Sequence, residues 1–159
     1  MNEKSLNTLE FYKIKEKLEK YAVTASGKEQ ARNLSPYDSI YEVKNALEET
    51  KEAYDILIKK GNPPFEGLYD IKEALERAKK GGTLSLAQLL YVGNMLRCTE
   101  RVKEYLARRD EEESFPKLED LAYILTPIKN LQLEIEKSIV SEEEVADKAS
   151  GTLYKIGRA

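Results

Sequence analysis

Three kinds of residue in this chain could do chemistry: a lone thiol, two runs of carboxylates and a set of arginines at helical spacing. Cys98 is the single cysteine, and the sequence contains no histidine. A thiol needs a base beside it to become a nucleophile. Without histidine, the commonest general base and the commonest metal ligand are both missing. Cys98 therefore reads as an ordinary semi-buried residue on a helix flank. The runs Asp110-Glu111-Glu112-Glu113 and Glu142-Glu143-Glu144 hold adjacent carboxylates, which diverge, whereas a metal site needs carboxylates that converge. They read as exposed loop or helix-start charge; at 142–144 that charge would favour a helix N-terminus. Lys79-Lys80-Gly81-Gly82 has neither the GxxxxGK[ST] order nor the preceding strand of a phosphate loop. Its lysines suit the negative end of a helix instead.

Arg97, Arg101 and Arg108 are the candidate nucleic-acid contact. Steps of 100° per residue bring them within about 40° of each other on one helix. The plainer reading is a solvated face on which Glu104 pairs with one of them at i±3 or i±4. No catalytic, cofactor-binding or metal-binding residue is assigned.

Composition narrows the functions further. The chain has 159 residues, 26 basic and 29 acidic, for a net charge of −3. That sign provides no long-range attraction to nucleic acid, so phosphate contact would need a local patch. One cysteine excludes an internal disulfide. The opening MNEKSLNTLEF lacks the apolar stretch of a signal peptide, and the longest helical pattern is studded with charge. A cytoplasmic protein without membrane contact is expected.

The elements that must position these residues follow from caps and periodicity. Phe11, Ile14, Leu18 and Tyr21 share one face of a helix over 9–21. A short helix then runs through Ala31 and Leu34 to Ser35-Pro36. Ser39-Ile-Tyr-Glu42 is a capping box, opening a helix with Val43, Ala46, Leu47, Thr50, Tyr54 and Leu57 on one side and Gly61 as its stop. Residues 62–67, NPPFEG, form a stiff loop. Asp70-Ile-Lys-Glu73 opens a short helix that stops at Gly81-Gly82, and Ser85-Leu-Ala-Gln88 opens a long one. It can run to about Arg109, roughly 35 Å, with Leu89, Val92, Leu96, Thr99 and Leu106 as its buried stripe. Ser114-Phe115-Pro116 breaks the chain. Leu118, Leu121, Ala122 and Leu125 mark the next helix, and Leu131, Ile135 and Ile139 another. No strand-like alternation appears. The expectation is an all-α, irregular multi-helix bundle with no sheet.

Four ordered stretches resemble the second bacterial MutS family, the recombination-suppressing branch with an Smr tail. They are Asn7-Thr8-Leu9-Glu10-Phe11 with Ile14, Leu18 and Tyr21-Ala22; Gly27-Lys28-Glu29 leading to Leu34 and Pro36; Asp70-Ile71 leading to Ala78, Gly81-Gly82 and Leu84-Ser85; and Glu144-Val145 with Asp147 and Ala149-Ser150. The resemblance implies that residues 1–150 are the N-terminal part of a helical core or lever. Residues 151–159 would then be the start of a truncated or altered lever helix, because Gly151 and Ile156-Gly157 stand where the family has Pro and an Ile-Arg pair. It further implies a homodimeric parent, an ATPase and endonuclease using ATP and Mg. The parent would bind DNA or ribosomes, in recombination suppression, repair or rescue of collided ribosomes. The partners of this chain would be the clamp and ATPase domain of its own parent. No Walker A, Walker B or Smr motif maps here, so the segment itself is expected to be non-catalytic, with no cofactor. The alternative is a stand-alone helical adaptor that binds another protein through an apolar groove.

Overall fold

A computed structural model describes residues 3–107, 114–146 and 149–150. They form eight α-helices and no strand. The helices are α1 (Glu3–Thr8), α2 (Phe11–Tyr21), α3 (Ala25–Asn33), α4 (Ile40–Lys60), α5 (Lys72–Lys79), α6 (Leu86–Ala107), α7 (Pro116–Ile124) and α8 (Lys129–Ser138). The all-α expectation holds. No helix among the described residues is long and apolar enough to cross a membrane. The chain divides into two compact units, one up to Asp55 and one from Ile56 onward. The lever-helix start expected at 151–159 lies outside the described residues.

In the first unit α2 packs against α1 and α3. Thr24 caps α3, its hydroxyl accepting from Gly27 N at 2.9 Å. Lys15 Nζ donates to Arg32 O at 2.7 Å, satisfying a carbonyl of the last turn of α3, and Arg32 pairs with Glu19 at 2.5 Å. The periodicity of α2 predicted its span well but not its burial. Ile14, Leu18 and Tyr21 are exposed, because the helix packed on α2, α3, is mostly polar, ASGKEQARN, and only its Ala31 is buried.

The second unit is built around α6, which packs most extensively on α8 and next on α7. Local chemistry sets the chain's course into it. Gly61, at φ +74°, stops α4 by donating to Leu57 O at 3.0 Å. α5 begins at Lys72, one residue later than a cap at Asp70 implies; Asp70 Oδ1 accepts from Lys72 N at 3.0 Å just ahead of it. It ends in a Schellman turn: Gly81 N donates to Ala78 O and Gly82 N to Arg77 O, both at 2.9 Å, with Gly81 at φ +75°. Then Ser85 and Gln88 form the expected box, Gln88 N to Ser85 Oγ at 3.2 Å and Ser85 N to Gln88 Oε1 at 3.1 Å. Pro116 occupies the first turn of α7, where its missing N–H costs nothing.

The core differs from the expected stripe. Leu89, Val92, Leu96, Thr99 and Leu106 are only half-buried, while the buried residues of α6 are Gly93 and Cys98. Gly93 sits where Ile135 of α8 packs close against α6. Cys98, expected to be semi-buried, is 1% exposed. Ile56, Ala74, Leu118, Ala122, Ile135 and Ile139 are the other buried apolar residues described in this unit. Glu142-Glu143-Glu144 does not start a helix. It lies in bends between Ile139 and Val145, which meet as an isolated antiparallel bridge. The other acidic run, 110–113, lies outside the described residues.

Candidate functional site

The arginine stripe of α6 faces other parts of its own unit. Arg97 reaches Glu136 of α8, with Nε at 3.1 Å and Nη2 at 2.7 Å from the same Oε1. Gln132, one turn earlier on α8, donates Nε2 to that oxygen at 2.9 Å. Gln132 is itself buried, and its amide spans the distance to the carboxylate at i,i+4 spacing. The Gln132 hydrogen bond, then Arg97, holds the Glu136 carboxyl below its usual range. Arg101 Nη2 pairs with Glu66 Oε2 at 2.6 Å, in the proline-stiffened loop. Glu104 holds neither Arg97 nor Arg101, whose partners are carboxylates distant in sequence. Arg108 lies outside the described residues.

Further bonds tie α6 down along its length. Glu100 pairs with Lys129 at 2.8 Å, and this hydrogen bond pushes the Lys129 pKa up. Lys103 Nζ donates to Leu125 O, beyond α7, at 2.7 Å. Tyr105 donates its hydroxyl to Gly61 O at 2.7 Å, and Lys60 Nζ donates to Tyr105 O at 3.2 Å. Burial raises the Tyr105 pKa.

These groups position helices; they do not converge on a reacting atom. Among the described residues no group of His, Cys, Asp and Glu could hold a metal ion. Cys98 Sγ contacts Pro64 O at 3.5 Å. Burial pushes its pKa up, with Arg101 opposing and Glu66 adding, which disfavours the thiolate. Lys79 pairs with Glu76 at 3.2 Å in the last turn of α5, as a helix-end lysine would. An open groove of ≈550 Å³ along α3 and residues 33–37 has Glu29 as its one ionisable carboxylate. The residues that sequence reasoning missed are Glu66, Gln132, Glu136 and Gly93. Gln132 and Glu136 share an i,i+4 spacing that marks a pair on α8, but nothing local marks Arg97 as their partner.

No family model matches the chain. Individual proteins do. The chain is 61% identical over all 159 residues to an endonuclease MutS2 of Clostridium beijerinckii. It is 59% identical to one of Clostridium botulinum and 50% identical to one of Clostridium acetobutylicum, again over all 159 residues. In each case the match covers 100% of this chain and 20% of the relative. The chain thus spans about a fifth of the length of the curated relatives it matches.

Proposed function

Because the whole of this chain matches a stretch of MutS2 proteins, as an N-terminal segment of one would, we propose that it is the non-catalytic core or lever segment of a MutS2-type endonuclease. Its task is mechanical: it carries movement between an ATP-driven part and a clamp on DNA or on a ribosome. Identity along all 159 residues supports this assignment. The construction of α6 supports the mechanical role. Its backbone bonds are internal, and ion pairs to Glu66, Lys129 and Glu136 fasten it to neighbouring segments, so the group can move as one piece. ATP and Mg would be bound elsewhere in the dimeric parent, which would work in the cytoplasm.

A chimera tests this. The matching stretch of the Clostridium beijerinckii relative is replaced by this chain, and DNA cleavage and ATP hydrolysis are measured beside the isolated 159 residues. The chimera is expected to keep both activities and the isolated chain to have neither. The isolated chain should also bind DNA weakly and lose that binding steeply with salt, since counterion release is its only driver. Turnover by the isolated chain, or sub-micromolar DNA binding at physiological salt, would overturn the passive role.

A further inference from the structure

α4 exposes the side that a helix normally buries. Ile40 is 72% exposed, Leu47 63% and Tyr54 63%, while Asn45 and Glu52 on another face are half-buried. Within the first unit α2 packs on α1 and α3, but α4 packs on none of them to a comparable extent. This side, exposed at Ile40, Leu47, Thr50 and Tyr54 and half-buried at Val43, has a register. Ile40, Val43, Leu47, Thr50 and Tyr54 follow the alternating three- and four-residue steps of a heptad's two seam positions. Thr50 fits the series because its hydroxyl bonds back to Ala46 O at 2.8 Å, which leaves the methyl for packing. A contiguous apolar stripe of this kind marks a contact surface.

The flanks of the stripe say what covers it. Lys44 and Lys51 line one edge, and Ala46 and Ala53 line the other. In an antiparallel pair of identical helices the lysine edges would face each other and repel. In a parallel pair lysine would face alanine, with no charge to fix the register. The seam therefore suits a different helix, one that brings carboxylates to the lysine edge and lies close over the alanines. Within the first unit none of α1, α2 and α3 packs on it as α2 packs on α3, and the chain spans 20% of the length of its relatives. We propose that the 40–54 seam seats an amphipathic helix from the other four-fifths of a MutS2-length chain, with Asp or Glu opposite Lys44 and Lys51. The proposal rests on the segment assignment above.

The chimera serves again as the test. Leu47→Cys is made in it and in the 159-residue chain, with Glu49→Cys as control, and maleimide labelling at each new thiol is followed by peptide mass spectrometry. The isolated chain should label quickly at both positions. In the chimera, position 47 should label at least tenfold more slowly and position 49 at the unprotected rate. A zero-length carbodiimide should join Lys44 or Lys51 to an Asp or Glu of one helix outside the matched stretch. Mixed heavy and light preparations distinguish that link from one between copies. An active chimera that labels equally fast at 47 overturns the seam and leaves the segment assignment standing. An inactive chimera with no protection at 47 overturns both. A heavy-to-light link between two α4 helices makes the occupant a second copy, and the proposal fails.

Discussion

Gly93 of α6 lies directly against Ile135 of α8: a Cβ at position 93 would stand 3.0 Å from Ile135 Cγ2. That contact fixes how closely the two helices approach. Gly93→Ala gains helix propensity of about 1 kcal/mol but overpacks the crossing, which costs about 1–3 kcal/mol. A net loss of stability is expected in urea unfolding. Ile135→Ala alone should cost about 2–5 kcal/mol through the cavity it leaves. The double substitution should cost less than the two summed, because the new methyl fills part of that cavity. Strict additivity would mean that the two residues do not meet.

The turn between α5 and α6 separates two effects at adjacent glycines. Gly81 has φ +75° and nothing within 4 Å of where a Cβ would go. Gly81→Ala should therefore cost only backbone strain, about 1–2 kcal/mol, and Gly81→Asn less, since Asn tolerates this conformation. At Gly82 a Cβ would stand 2.8 Å from Arg77 Cγ and 3.2 Å from Arg77 O, so Gly82→Ala must displace Arg77. Equal losses for Asn and Ala at 81 would argue against the left-handed turn.

The Glu136 carboxyl is held below its usual pKa by the Gln132 hydrogen bond and then by Arg97. In the pH window between the folded and unfolded values, the unfolded chain binds more protons, so stability rises with pH there. The contribution is fully present above the ordinary glutamate range and is lost as pH falls through the depressed value. Glu136→Gln should lower the urea midpoint at neutral pH, and the gap from the parent should close on acidification. A gap that widens in acid would mean that Glu136 is not held in its charged form.

Cys98 is 1% exposed, and burial raises its pKa. A disulfide reagent at neutral pH should leave the native chain almost untouched. With added urea, its rate should track unfolding measured by circular dichroism. Reaction within the mixing time in the absence of urea would place the thiol outside the core.

Helix limits were legible where they depend on neighbouring residues. The Ser85 and Gln88 exchange, the Gly81-Gly82 stop and the Gly61 stop each satisfy backbone groups within a few residues, so sequence alone reveals them. Burial was less legible. Ile14 and Leu18 have the spacing of a core face but are exposed, because burial depends on what another segment brings. Cys98 and Gly93 form the deepest part of α6 although neither carries a large apolar side chain. Arg97 and Arg101 do share one helix, yet their partners Glu136 and Glu66 stand 39 and 35 residues away, beyond any local pairing rule. The family resemblance was legible because ordered short motifs survive along the whole chain, and the end-to-end identities agree with it.

The Arg97 bond to Glu136 spans 39 residues of sequence, which sets an order of events during synthesis. At about 5–20 residues per second, α8 leaves the ribosome roughly two to eight seconds after the middle of α6. For that interval the surface of α6 around Gly93 lacks the cover that Ile135 of α8 gives it. The newborn second unit is most open to capture by chaperones before α8 arrives and closes that surface.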